Sequence, residues 1–374
     1  MGRFRQIVLS RWSYSLLGTA LLCAVAWYLG PLLPWLEDWP RRAALVAAML
    51  ALWALGNGLV AASRRGRERA LAAGVTATAE ERAAIESKMA DALAALRRAR
   101  GKRGYLYEQP WYAIIGPPGA GKTTALLNAE LEFPLAAQMG RGAVAGVGGT
   151  RFCEWWFTDQ AVLIDTAGRY TTHNSDAAVD RAGWESFLDM LKRTRPRQPL
   201  NGVIVAIALN DIAQPTAAGP GAHAQAIRER IDELCGKFER RLPVYLVFTK
   251  ADLLAGFTEF FDDLDRQGRR QVWGMTFPYP TPGSAPEGKF AAEFRALAER
   301  IGRRLTDRLQ AETDPARRAS IVGFPAQLAS MEAILTEFVT HAFGPGKTVA
   351  PPLLRGVYFT SATQDGTPFD RLAG

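Results

Sequence analysis

Apolar and polar positions divide the chain into three zones. From Trp12 to Leu36 no residue is charged, and from Ala43 to Ser63 none is charged either. About 20 consecutive apolar residues carry a helix across the hydrocarbon layer, so each run predicts a membrane-spanning helix, over 12–36 and 43–63. Trp12, Tyr14, Trp35 and Trp39 lie near the ends of these runs, where amphipathic rings favour the membrane interface. Gly30, Pro31 and Pro34 would end the first helix. Between Ala77 and Arg100 the pattern changes to alanine and charge, with Ile85, Met89, Leu93 and Leu96 at helical spacing. That spacing predicts a connecting helix within a linker, 64–104, packed along an edge of the next domain. Beyond "RGKRG", short apolar runs alternate with amphipathic stretches, and this alternation predicts an α/β domain over 105–374. Strands are expected at "WYAII", "AVLID", "VYLVF" and "VYF", and a helix at "AHAQAIRERIDELCGKFERRL". Two further helices, around 293–314 and 326–343, are interrupted by Pro315 and Pro325 and form a helical insertion of about 290–345. Trp155 and Trp156, adjacent on a strand, would face opposite sides.

Charge refines the first zone. The formal net charge is +8, and much of the excess is local. Arg3, Arg5 and Arg11 precede the first run, and Arg64, Arg65, Arg67 and Arg69 follow the second. Purely basic outer flanks place the N-terminal tail, 1–11, and everything after about residue 64 in the cytoplasm. Arg41 and Arg42 in the connection "EDWPRR" weaken that orientation without reversing it. A signal peptide is disfavoured, because the first run is long and lacks a small-residue cleavage site before the second. No regularly spaced basic and aromatic surface points to nucleic acid. Three cysteines without CxxC spacing, and three histidines without metal-ligand spacing, argue against a disulfide framework or a zinc site.

The chemistry-bearing motifs come directly after the apolar strands. "WYAII" runs into Gly116-Pro117-Pro118-Gly119-Ala120-Gly121-Lys122-Thr123-Thr124, which matches the G-x-x-x-x-G-K-[ST] pattern of a phosphate-binding loop. Glycines let successive amides turn toward the phosphates, and the helix that starts there turns its positive end the same way. Lys122 reaches the β- and γ-phosphates, and the Thr123 hydroxyl ligates Mg²⁺. "AVLIDTAGRY" ends its strand in Asp165, a carboxylate to hold Mg²⁺ through water, followed by Gly168, whose amide would sense the γ-phosphate. "VYLVFTKAD" ends in Thr249, Lys250 and Asp252. That aspartate can accept from the N1–H and exocyclic amine of guanine, and the Lys250 stem can lie along the base. "VYFTSAT" ends in Thr360, Ser361 and Ala362, placed to offer an amide to the guanine carbonyl. Polar residues at a strand end can simply begin a loop, but four such motifs in order resemble the GTPase branch of P-loop NTPases. The expected fold is therefore a small-GTPase-like three-layer α/β sandwich preceded by two transmembrane helices. No LSGGQ-like signature is present, which disfavours an ABC ATPase.

"GRGAVAGVGGTRF" lies between the first two motifs. Thr150 is its candidate switch threonine and Mg²⁺ ligand, the alternative being an ordinary connection before a strand. Arg169 stands after Gly168, where many regulatory GTPases place a glutamine that orients the attacking water. Slow intrinsic turnover is expected. Arg141, Arg151 or Arg169 would supply transition-state charge, or serve as surface residues.

The chain resembles the N-terminal part of the IcmF/TssM family, inner-membrane subunits of bacterial type VI secretion systems. The resemblance rests on the double apolar run, "GPPGAGKTT", "GTRFCEWWFTDQAVLIDTAGRYTTHNSDAAVD", "RQPLNGVIVAIALND", "LPVYLVFTKADLLAGFTEFF", "QVWGMTFP" and "LRGVYFTSATQDGTPFDR". It implies a bacterial inner-membrane protein and a second inner-membrane subunit as partner. It also implies contact with the baseplate, homo-oligomers, and an outer-membrane lipoprotein met through a periplasmic region that lies beyond this chain. On that reading the chain is a fragment or a truncated homologue. GTP or ATP with Mg²⁺ are the expected cofactors. Two functions stay open: a slow nucleotide-driven switch in assembly, or a structural anchor whose nucleotide site is occupied or vestigial.

Overall fold

The computed structural model describes residues 11–29, 38–100, 105–129, 131, 153–172, 177–213, 219–279, 286–345, 352–361 and 368–372. Two compact units divide at Ala77 and Thr78.

The first unit contains α1 (Arg11–Leu29) and the beginning of α2 (Trp39–Arg100). Gly30, Pro31 and Pro34, expected to end the first helix, lie outside the described residues. Arg42 lies against α1, donating to the Trp27 carbonyl at 3.4 Å with its guanidinium 5.8 Å from the Trp27 ring centre. Arg41 pairs with Asp38 at 3.5 Å. The arginines of the connection thus have local partners. Large apolar side chains point outward here: Leu21, Leu22, Tyr28, Leu52, Leu55 and Leu59 are all exposed. The described part of the first uncharged run, 12–29, and the second run, 43–63, are helical. Among the described residues, however, no helix is long and apolar enough to cross a membrane. α1 has 19 residues, and the second run continues without a break into the charged sequence of the 62-residue α2.

The second unit is α/β, as expected. Among the described residues its seven strands are β1 (Trp111–Ile115), β2 (Cys153–Phe157), β3 (Val162–Thr166), β4 (Gly202–Ala208), β5 (Pro243–Thr249), β6 (Gly274–Thr276) and β7 (Leu353–Phe359), ordered β2-β3-β1-β4-β5-β7-β6. The five central strands are parallel, and β2 and β6 close the edges antiparallel. Parallel strands bury both faces, and the side chains divide accordingly. Trp111, Ala113, Ile115, Val203, Val205 and Ile207 enter the large core. Tyr112, Ile114, Ile204 and Ala206 face the other way, where a small cluster gathers around Leu126 and Trp156. The two adjacent tryptophans do separate: Trp156 joins the small cluster, whereas Trp155 meets Trp111 edge-on at 5.3 Å beside the large one.

Ile85, Met89 and Leu96 of α2 are buried in the large core, with Leu93 packed against it. The helical spacing therefore marked a docking face. Helices α3 (Tyr105–Glu108), α4 (Lys122–Leu127), α5 (Arg169–Thr172), α6 (Ala177–Thr194), α7 (Leu209–Ala213) and α8 (Gly219–Phe238) come next in chain order. After β5 come α9 (Phe257–Phe261) and α10 (Arg266–Arg269), which precede the edge strand β6.

Among the described residues four helices rather than two stand between β6 and β7: α11 (Pro286–Arg303), α12 (Leu305–Ala311), α13 (Pro315–Ser330) and α14 (Glu332–Phe343). Pro315 begins α13 as expected of a first-turn proline, capped by the Asp314 carboxylate on the Ala316 amide at 2.8 Å. Pro325 breaks nothing and lies inside α13. A proline there forfeits one helix hydrogen bond, but Ile321, Phe324 and Leu328 beside it are fully buried, and packing holds the helix through it. Rings seat the insertion: Phe324 lies 5.0 Å from Phe260 of α9, and Phe294 5.9 Å from Phe359 of β7.

Candidate functional site

In a parallel sheet every strand exits at the same end, so Gly116, Asp165, Thr249 and Thr360 emerge together, where open α/β sheets hold their ligands. The register makes the neighbours explicit: Ile114 pairs with Asp165, and Ala208 with Thr249.

The turn after β1 depends on its glycines. Gly116 has φ +155°, and a Cβ there would sit 2.0 Å from the Ala206 carbonyl oxygen. Its amide donates to the Thr171 hydroxyl at 3.0 Å. Gly119 (φ +76°) has open space beside it, and Gly121 (φ +72°) lies against Thr249. L-residues with side chains pay to enter this left-handed region. The Ala120 amide closes a turn on the Pro117 carbonyl at 3.3 Å.

Lys122 is buried and folds back over the turn, donating to the carbonyls of Gly116 at 2.8 Å and Pro117 at 3.0 Å. Burial lowers its pKa to about 8, against the opposing pull of the Asp165 charge. Next to it the Thr123 hydroxyl donates to Asp165 Oδ2 at 2.5 Å, and the Asp165 side chain has no solvent exposure. Opposite Asp165 on β2, Glu154 has a raised pKa, first through burial and then through the Asp165 charge, with Lys88 pulling the other way. The Thr124 carbonyl accepts from the Asn128 side chain at 2.8 Å. Gly168 touches the Pro117–Pro118 peptide so closely that a Cβ would lie 2.5 Å from the Pro118 nitrogen. Thr150 falls outside the described residues.

At the other end of the site the Thr249 hydroxyl donates to the Ala120 carbonyl at 2.7 Å, tying β5 to the turn. Lys250 adopts a left-handed conformation (φ 55°, ψ 37°) and opens the 3-10 turn Ala251–Leu253. Asp252, in that turn, is buried, and among the described residues neither of its carboxylate oxygens has a hydrogen-bond partner. The turn is held from two sides: the Ala251 amide donates to Thr360 O at 3.1 Å, and the Phe369 amide to Leu253 O at 2.8 Å. Ser361 is exposed beside it, and Ala362 is outside the described residues.

Three neighbours escaped sequence reasoning. Thr171 is one more hydroxyl after the third strand, with nothing in its spacing to mark it. Asp180 receives the Arg169 guanidinium from across a connection and is equally silent in sequence. Asp211 follows a strand end in "VIVAIALND", the same signal that marked Asp165 and Asp252. Burial raises its pKa, and the charges of Lys250 and His223 oppose the rise. Among the described residues no cluster of His, Cys, Asp and Glu is arranged to hold a metal unaided.

Residues 177–374 match the family model of the IcmF-related N-terminal domain. A Pseudomonas aeruginosa protein described as type VI secretion system component TssM1 is 55% identical over 303 residues, which is 80% of this chain and 28% of that relative. Among solved structures, the signal recognition particle receptor SRb-GTP/SRX complex from Chaetomium thermophilum aligns with 69% of this chain and 93% of its own at 18% identity. Its TM-score is 0.29, too low for fold or ligand to be carried across.

Proposed function

The chain belongs to the IcmF-related family, and from that premise we propose that it is the membrane-anchored, nucleotide-binding part of an inner-membrane subunit of a type VI secretion system. The observation that carries the nucleotide reading is the contact of Thr123 with Asp165 beside the buried Lys122, behind a turn whose glycines occupy left-handed backbone. Residues so arranged fit a magnesium-bound nucleoside triphosphate in a P-loop NTPase fold of small-GTPase-like order. Gly119, Gly121 and Lys122 would hold phosphate, Thr123 and Asp165 the metal, and Gly168 the edge of the loop nearest the γ-phosphate. When bound, Mg²⁺ neutralises charge on the β- and γ-phosphates.

Guanine is the favoured base. The two carboxylate oxygens of buried Asp252, unpartnered among the described residues, match two donors on one edge of guanine, whereas adenine offers an acceptor at N1. Lys250 flanks the base and Ser361 stands beside it. Hydrolysis is slow on this reading, because Arg169 replaces a water-orienting glutamine. The nucleotide state then biases assembly with a second inner-membrane subunit, the baseplate and, through the rest of a longer protein, an outer-membrane lipoprotein.

Attachment to the bilayer is supported by the outward-facing leucines of the first unit, since soluble surfaces rarely gather so many large apolar side chains. The basic flanks put the second unit on the cytoplasmic side.

Titration calorimetry of the full chain with GTP and ATP, each with Mg²⁺, tests the reading. GTP should bind more tightly, and Asp252→Ala should erase the difference. Absence of heat with either nucleotide would falsify the proposal; equal affinities would remove guanine from it.

A further inference from the structure

The segment after Gly168 is pinned rather than loose. The Thr171 hydroxyl accepts the Gly116 amide at 3.0 Å. Tyr170 is buried, its ring centre 6.2 Å from that of Trp184. Arg169 donates from Nη1 to Asp180 Oδ1 at 2.9 Å, and its guanidinium lies 5.0 Å from the Tyr170 ring centre. Asp180 stands in the first turn of α6 with no solvent exposure, while the Arg169 side chain is 25% exposed. A buried carboxylate is unfavourable without a cation or donors beside it, so Asp180 holds the guanidinium where it is.

The same arginine stands close to the phosphate turn. Arg169 is covalently next to Gly168, whose backbone abuts the Pro117–Pro118 peptide, and Lys122 lies on the carbonyls of that same stretch. A long side chain anchored one residue from that contact has the length to reach a phosphate lying on the turn. We propose that Arg169 is a reserve catalytic cation for transfer of a phosphoryl group to water, kept off the phosphates by Asp180. The proposal rests on the nucleotide reading of the site.

In that reaction the water oxygen bonds to the γ-phosphorus as the bond from that phosphorus to the bridging oxygen breaks. The bridging oxygen keeps the electron pair, and the proton lost by water ends on the released phosphate. A guanidinium beside the bridging oxygen neutralises the charge that builds there, a contribution of about 10³–10⁵ in rate where arginine acts this way. Release requires that α6 withdraw Asp180. That helix is tied to its surroundings by Arg193 to Glu86 of α2 at 3.2 Å, and by the Trp184 indole to Glu233 of α8 at 2.8 Å. A partner that displaces α2 or α8 therefore acts on the clamp.

The test compares the full chain with its Asp180→Asn variant, which keeps the side-chain shape and removes the charge, and with Asp180→Ser as a second uncharged variant. Both should hydrolyse GTP at least about 10-fold faster than the parent at unchanged GTP affinity. Both should bind GDP with aluminium fluoride more tightly, and Asp180→Asn/Arg169→Ala should lose both gains. In nucleotide-free protein, exchange of the Arg169 guanidinium protons should quicken in the Asp180 variants. Variants that bind GTP like the parent but show unchanged turnover and unchanged fluoride-complex affinity would overturn the clamp and leave nucleotide binding standing. Failure of the parent itself to bind nucleotide would remove both ideas together.

Discussion

The phosphate end and the base end of the candidate site are built in opposite ways. At the phosphate end the protein supplies its own partners: Lys122 rests on two carbonyls, Thr123 on Asp165, and the Gly116 amide on Thr171. At the base end Asp252 is buried with both oxygens unpartnered among the described residues. A self-satisfied turn holds its shape before anything binds, so it contributes affinity through preorganisation. An unpaired buried carboxylate is different. Its desolvation has already been suffered, and only a ligand with the right donors recovers it, which makes it an instrument of discrimination.

The most severe way to break this contrast is Lys122→Ala. Loss of at least two charge-assisted hydrogen bonds to a triphosphate should weaken GTP binding about 1,000-fold, read by titration calorimetry. Unchanged affinity would mean that the turn holds no phosphate.

Next comes pH. The Lys122 pKa is lowered from 10.5 to about 8 in the folded state, so between those values the unfolded chain carries a proton that the folded one has released. Stability of the nucleotide-free protein should therefore rise with pH across that window, by on the order of 3 kcal/mol if this group acts alone. Denaturant melts of the parent and Lys122→Met at about pH 7.5 and about pH 10 would show it as the difference between the two, since other groups titrate alike in both. Binding of a polyphosphate should restore the charge and take up a proton in the same window.

Asp252→Asn sharpens the base end. The preference for GTP over ATP should fall about 10–100-fold. A variant with intact preference would contradict the contrast. The smallest effect belongs to Gly121→Ala. At φ +72° with ordinary contact distances to Thr249, it should cost about 1 kcal/mol in a thermal melt, mostly from backbone strain.

Much of the site was legible because its residues are written beside strong local signals. Lys122, Asp165 and Asp252 each come after an apolar strand, and the glycines of 116–121 announce a turn that side chains would obstruct. The docking face of α2 was legible from Ile85, Met89 and Leu96 for the same reason: periodicity survives without neighbours. Pro325 misled, since a proline lowers helix propensity everywhere but cannot report that Ile321, Phe324 and Leu328 bury against other elements. The edge strand β6 has three residues, too few for any alternation to register. Asp180 and Thr171 are ordinary polar residues whose partners come from other turns of the chain.

What the amino-acid order determined by itself was local: which stretches are strands or helices, where the backbone must turn left-handed, and which ionisable groups stand at strand ends. Tertiary structure alone decided that Thr249 meets Ala120 across 129 positions, that Asp180 rather than a phosphate receives Arg169, and that Asp252 is buried without a partner among the described residues. Periodicity and turn chemistry act over a few residues and so can be read along the chain. Burial and pairing depend on which distant surfaces come together, and only the packed sheet and its helices set that.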